Sequence, residues 1–94
     1  MAQKFDLHEA LKKAQETGEV FLASMSREQL EKSGFDSSVF GEFCFAEIYL
    51  QWFDDEFVIK YVFDGDPSNT YYERVRDVGS DVFDAIIESY IGGE

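Results

Sequence analysis

The chain has 94 residues, of which 45% are hydrophobic and 17% aromatic, and its twenty acidic and eight basic residues give a formal net charge of −12. This composition is too apolar for a disordered acidic tail, and it predicts one folded domain over residues 1–94. The single cysteine, Cys44, excludes an internal disulfide and is expected to be a small buried hydrophobe.

The first third of the chain predicts two helices around a short apolar segment. Residues 7–17 have apolar positions at helical spacing, with Asp6 as the expected N-cap and Gly18 as the stop. Ser26 and Gln29 form a predicted capping box for a second helix that ends at Gly34. Between the two helices, residues 20–23 (VFLA) fit either a strand or a buried connection.

From Phe43 the apolar period changes to two, as in a strand. In FCFAEIYLQWF one face is wholly apolar, while the other is rich in aromatic residues and includes Phe43, Phe45, Tyr49 and Phe53. Asp54-Asp55 predicts a tight turn into EFVIKYVF, and TYYERVRDV completes an antiparallel meander. We expect the second helix and the following loop, FDSSVFGEF, to cover the aromatic face. The alternative is that this face forms a homodimer or partner surface.

The connection VFDGDPSNTYYE begins like a calcium loop, with Asp64, Asp66 and Ser68 at alternate positions. An EF-hand loop starting at Asp64 needs Gly at its sixth residue and Glu at its twelfth, where this chain has Asn69 and Val75. The flanking segments are also strand-like instead of helical. We therefore predict a turn between strands, and we predict no metal and no cofactor.

A last helix is predicted to begin at Gly79-Ser80. Asp77, Asp81, Asp84 and Glu88 recur at spacings of four, three and four, as residues on one helical face do. The predicted fold class is α+β: two or three helices packed in two layers on a three-stranded antiparallel sheet, four-stranded if residues 20–23 form a strand.

The negative charge is concentrated in residues 33–94, which carry fourteen acidic and three basic residues, a net of −11. Direct nucleic-acid binding is disfavoured, because phosphate contacts need clusters of Lys or Arg. One histidine and no nucleophile motif argue against an enzyme. Since no apolar run is long enough for a membrane span or a signal peptide, we expect no membrane contact and a cytoplasmic protein, in the host cytoplasm if its source is viral.

The charge instead suits a basic partner. A rigid domain whose carboxylates repeat along a helix or strand can present anions to the basic groove of a nucleic-acid-binding protein and exclude its substrate. In size, acidity and lack of catalytic groups, the chain is similar to small phage-encoded nucleic-acid mimics that block restriction or CRISPR effector proteins. That resemblance implies an inhibitor that acts on a basic effector protein.

Two other functions fit the same composition. One is an immunity-type inhibitor that plugs the active site of a toxic nuclease, with Trp52, Tyr71 and Tyr72 beside the acidic turns. The other is a non-catalytic interaction or oligomerisation module whose acidity only gives solubility. For contact with a partner we select two groups of acidic residues. The loop tips comprise Asp54, Asp55, Glu56, Asp64 and Asp66; the predicted stripe on the last helix comprises Asp77, Asp81, Asp84 and Glu88.

Overall fold

Helices and strands alternate along the first half of the chain in the computed structural model, which describes residues 7–90. The helices are α1 (Leu7–Thr17), α2 (Arg27–Lys32) and α3 (Ser80–Glu88), and the strands are β1 (Glu19–Ser26), β2 (Phe45–Phe53), β3 (Glu56–Phe63) and β4 (Thr70–Arg74). Two 3-10 turns, Ser37–Phe40 and Val75–Asp77, lie in the connections. The predicted α+β class is confirmed, and residues 20–23 lie within a fourth strand.

A glycine ends α1 as predicted. Gly18 has a φ of +94°, a left-handed conformation that glycine adopts without strain, and its N–H donates to the carbonyl of Ala14 at 2.7 Å. The predicted N-cap, Asp6, lies outside the described residues.

The capping box of α2 is also confirmed. The Ser26 hydroxyl accepts from the backbone N–H of Gln29 at 3.1 Å, and the Gln29 side chain accepts from the backbone N–H of Ser26 at 2.9 Å. These bonds satisfy N–H groups that a helix start leaves without partners. The helix ends at Lys32, slightly before the predicted stop at Gly34, which has a φ of +106°.

The four strands form one antiparallel sheet in the order β1-β2-β3-β4. Asp54 and Asp55 join β2 to β3 with φ values of +52° and +61°. Positive φ at both central residues is the type I′ geometry, whose twist matches that of the flanking strands. The last predicted strand is shorter than expected, since β4 stops at Arg74 and a 3-10 turn leads the chain to α3.

The helices and the sheet enclose one hydrophobic core. Its sheet side, which we call the inner face, is built from alternate residues that are all at most 2% exposed: Ala46, Ile48 and Leu50 of β2 with Ile59, Tyr61 and Phe63 of β3. Ala10, Ala14, Leu30, Val82 and Ile86 pack onto it from the three helices. No helix in this part of the chain is both long and apolar enough to cross a bilayer.

The loop between α2 and β2 packs on the inner face. The Phe35 ring lies 5.1 Å from that of Tyr61, and the Phe40 ring lies 5.1 Å from that of Phe63 and 4.7 Å from that of Tyr71. All three partners point to the helix side of the sheet in the observed register. The prediction that this loop covers the aromatic-rich opposite face is therefore wrong.

The prediction of a buried Cys44 is also wrong, because this residue is exposed. Regular strand geometry begins only at Phe45, so the alternation of faces does not extend back to Cys44. Its backbone N–H donates to Asp64 Oδ1 at 2.8 Å, and its carbonyl accepts from the N–H of Arg27 at 2.9 Å. Phe43 is turned inward instead, 5% exposed, with its ring 4.5 Å from that of Phe63.

Candidate functional site

The acidic residues at the end of the chain remain exposed. Asp81, Asp84 and Glu88 lie on the solvent side of α3, while Val82 and Ile86 of the same helix are buried in the core. None of the ion pairs between described residues includes these three carboxylates. Their charges are therefore not neutralised within the described part of the chain.

The fourth member of the predicted stripe, Asp77, is not on the helix. It ends the 3-10 turn Val75–Asp77, and α3 starts only after its N-cap, Gly79. Asp77 is exposed, and its charge contributes to raising the pKa of Glu73 and of Tyr71. We call Asp77, Asp81, Asp84 and Glu88 the acidic α3 surface, with the correction that only the last three are helical.

Glu73 is an acidic neighbour of this surface that sequence reasoning missed. It lies on the inner side of β4, half-buried, and its Oε1 is 3.5 Å from the Tyr61 hydroxyl. Burial is the main cause that raises the pKa of Glu73, and Asp77 adds to the shift. The pKa of Tyr61 is raised as well, first by burial and then by the charge of Glu73. Side chains alternate between the two faces along a strand, and this alternation in β4 could have shown that Glu73 lies on the inner face.

The turn between β3 and β4 uses its carboxylates for structure. Asp64 Oδ1 accepts from the backbone N–H groups of Cys44 and Phe45 at 2.8 and 3.2 Å, so it ties the turn to the start of β2. Asp66 Oδ1 accepts from the backbone N–H and the hydroxyl of Ser68 at 3.0 and 2.7 Å, and these bonds lower the pKa of Asp66. Within residues 7–90 no group of three or more His, Cys, Asp or Glu residues is arranged to hold a metal ion.

At the other end of β3 lie three of the predicted loop-tip residues, and only one of them, Glu56, pairs with basic side chains of residues 7–90. Arg74 Nε lies 3.3 Å from Glu56 Oε2, and Arg76 Nε lies 4.0 Å from Glu56 Oε1, so this carboxylate is neutralised. Asp54 and Asp55 are exposed at the hairpin tip. The eight-residue β3 holds the two acidic turns about 26 Å apart at ~3.3 Å per residue. The loop-tip residues therefore do not form one cluster.

None of the three helices packs on the sheet face turned away from the core, which we call the outer face. It comprises the alternate residues from Phe45 to Phe53 of β2 and their cross-strand neighbours in β1, β3 and β4. Its apolar members include Phe53, 67% exposed, and Tyr72, 55% exposed. A depression of about 280 Å³ is lined by these two side chains, by Val58 and by four charged residues, Asp54, Glu56, Glu73 and Arg74.

The outer face also has its own ion pairs. Lys60 Nζ lies 2.7 Å from Glu19 Oε1 and 4.9 Å from the centre of the Tyr49 ring. The hydrogen bond to Glu19 is the main cause that raises the pKa of Lys60. With Arg74 and Arg76 on Glu56, all three basic residues of the acidic segment 33–94 neutralise carboxylates at this face or its edge.

The aromatic residues expected at a nuclease-plugging epitope do not come together. Trp52 points to the inner side of the sheet, where its ring is 4.7 Å from that of Phe57, and Tyr71 packs under Phe40. Only Tyr72 of the three lies on the outer face.

An apolar cavity of about 370 Å³ lies between α1, the sheet and α3. It is lined mainly by Leu11, Leu50, Phe57, Val75 and Phe83. The charged groups at its edge are Glu56 and Arg76, which face each other. This lining offers an apolar surface without a nucleophile.

Comparisons with protein families, curated proteins and solved structures find no match to this chain.

Proposed function

We propose that the protein is a small acidic inhibitor whose acidic α3 surface occupies the basic groove of a nucleic-acid-binding protein and thereby excludes DNA or RNA. The observation that carries the proposal is that the acidic α3 surface has four exposed carboxylates in succession, none of them in an ion pair between described residues. Many of the carboxylates elsewhere pair with a cation or accept hydrogen bonds from the fold, as Glu19, Asp36, Glu56 and Asp64 do. No carboxylate of the acidic α3 surface takes part in an ion pair between described residues.

The C-terminal part of the acidic α3 surface, Asp84 and Glu88, is also unfavourable for the helix that carries it. The C-terminal end of a helix has a partial negative charge, yet the last turn of α3 has no basic residue and ends in Glu88. Asp84 and Glu88 are like charges four residues apart, which repel across one helical turn. Because Asp84 and Glu88 do not stabilise the helix, a role in recognition explains their presence better than a structural one.

The spacing of these charges is suitable for mimicry. From Asp81 to Glu88 the helix rises about 10.5 Å at ~1.5 Å per residue and presents three carboxylates. One strand of DNA carries one phosphate per ~3.4 Å of axis, so the helix has a somewhat lower but comparable density of anions. A basic groove attracts the carboxylates of the helix and the phosphates of DNA alike, so the protein and the nucleic acid compete for the groove.

The test is a pull-down with tagged protein from a lysate, in which added DNA or RNA duplex is used to release the captured protein. The variant D77N/D81N/D84N/E88Q removes the charge of the acidic α3 surface and keeps side-chain size. The matched control, E16Q/E42Q/D54N/D55N, removes the same charge from four exposed acidic residues elsewhere.

We expect wild type and control to retain a nucleic-acid-binding protein that duplex displaces, and we expect the α3 variant to lose it. Loss with the control alone would move the interface to the other acidic residues. Retention by both variants, or a partner that nucleic acid does not displace, would overturn the proposal.

A further inference from the structure

We infer that the outer face is a homodimer interface, with a second copy of this chain packed sheet to sheet on the first. The starting observation is that the helices and the α2–β2 loop all pack on the inner face, so none of them covers the outer face. Two residues of the outer face, Val58 and Val62, are nevertheless only 9% and 8% exposed. A sheet of four strands needs apolar cover on one face only, and the opposite face is ordinarily polar. Here it carries Phe53 and Tyr72, both more than half exposed.

The charge of the outer face indicates what can cover it. By register the face contains three acidic residues (Glu19, Glu47 and Glu56) and two basic ones (Lys60 and Arg74), a net of −1 in a chain of −12. A second copy is repelled by much of the surface formed by residues 33–94, because that segment carries a net charge of −11. The outer face is therefore a surface at which two copies can approach with little repulsion.

The ionic groups of this face can be covered without leaving a charge unpaired. Lys60 already pairs with Glu19 at 2.7 Å, and Arg74 forms an ion pair with Glu56 at 3.3 Å, both within one copy. The remaining acidic residue, Glu47, lies near the turn at Gly65, at one end of the sheet. That position belongs to the rim of an interface, where water still solvates a carboxylate.

The area is sufficient for a weak dimer. Strands of eight, nine, eight and five residues, ~3.3 Å per residue and ~4.8 Å apart, give a face of about 480 Å² per copy. Two copies would bury about 1,000 Å² of flat area, near the lower limit for a specific interface. This argument does not depend on the proposed inhibitor function, and the dimer would leave α3 of each copy exposed.

Sedimentation velocity tests the inference over protein concentrations from about 1 μM to about 1 mM, the range expected for an interface of this size. Wild-type mass should rise from 10.8 kDa toward twice that value. Phe53→Lys and Tyr72→Lys place a charge in the apolar part of the face, and each should weaken the dimer about tenfold or more. Gln15→Lys makes the same charge change on the exposed side of α1 and should dimerise like wild type.

Circular dichroism and urea unfolding establish that each variant is folded, and the two substitutions on the face are independent of each other. A wild type that remains at 10.8 kDa throughout the concentration range would overturn the inference. So would a dimer that Phe53→Lys and Tyr72→Lys leave as strong as that of Gln15→Lys.

Discussion

Replacing Glu88 by Lys should stabilise the fold, although it removes a residue from the proposed binding surface. Glu88 ends α3, where the helix dipole favours a cation, and no basic residue lies in that last turn. A cation at a helix C-terminus contributes about 0.3–1 kcal/mol. Exchanging a repulsive Asp84–Glu88 pair for an attractive one adds roughly 0.4–1 kcal/mol. We therefore expect the free energy of unfolding to rise by about 1 kcal/mol at low salt.

Urea unfolding measures this change directly. For a chain of this size an m-value toward the lower end of ~1–3 kcal/mol/M is expected, so 1 kcal/mol moves the midpoint by roughly 0.7 M. Asp81→Lys is the matched control, since it makes the same charge change in the first turn of α3, where a cation is unfavourable. It should give little or no stabilisation.

The pair of variants separates local from global electrostatics. Equal stabilisation by Glu88→Lys and Asp81→Lys would mean that relief of net charge, and not the helix end, determines the effect. A urea midpoint of Glu88→Lys at or below that of wild type would refute the claim that Glu88 destabilises α3. The gain should also shrink as salt rises.

Three further predictions follow from charge and hydrogen bonding. Raising salt should weaken capture of a basic partner by screening attraction and strengthen self-association by screening repulsion, as measured by pull-down and sedimentation. Glu73→Gln should be more stable than wild type at neutral pH, because the raised pKa of Glu73 means that its ionised form is disfavoured in the folded state. The stability difference between Glu73→Gln and wild type should grow as pH rises from the ordinary glutamate pKa through the raised one. A difference in urea midpoint between variant and wild type that is the same at pH 4 and pH 7 would contradict this prediction. Asp64→Ala should cost about 1–3 kcal/mol in urea unfolding, since the N–H groups of Cys44 and Phe45 lose their acceptor. Asp64→Asn retains an acceptor and tolerates the φ of +55°, so a similar loss in that variant would rule out this explanation.

Local patterns were sufficient to predict most elements of this fold. The capping box at Ser26, the stop at Gly18 and the turn at Asp54-Asp55 each depend on a few adjacent residues, and each is confirmed. The period-two pattern of β2 also identified its buried face, because alternation determines which side chains share a side.

The errors concern the chain path between elements. Whether Phe35 and Phe40 lie above or below the sheet depends on where α2 directs the loop, and no local pattern contains that information. The boundary at Phe45 decided the exposure of Cys44, and the 3-10 turn before α3 removed Asp77 from the helix. For the proposed interface, sequence identified the acidic residues, but only the structure distinguishes the paired Glu56 from the unpaired Asp84.

The strand order has a consequence for how the chain folds. Each strand of the sheet pairs only with its neighbours along the chain, so no pairing has to bridge an intervening strand. Closing short loops costs little conformational entropy, and folding rates rise as contacting residues lie closer in sequence. The β2–β3 hairpin, closed by two residues, is positioned to form first, with β4 and then β1 adding to its two sides. A nascent chain could therefore build most of the sheet during synthesis, before α3 arrives to complete the core.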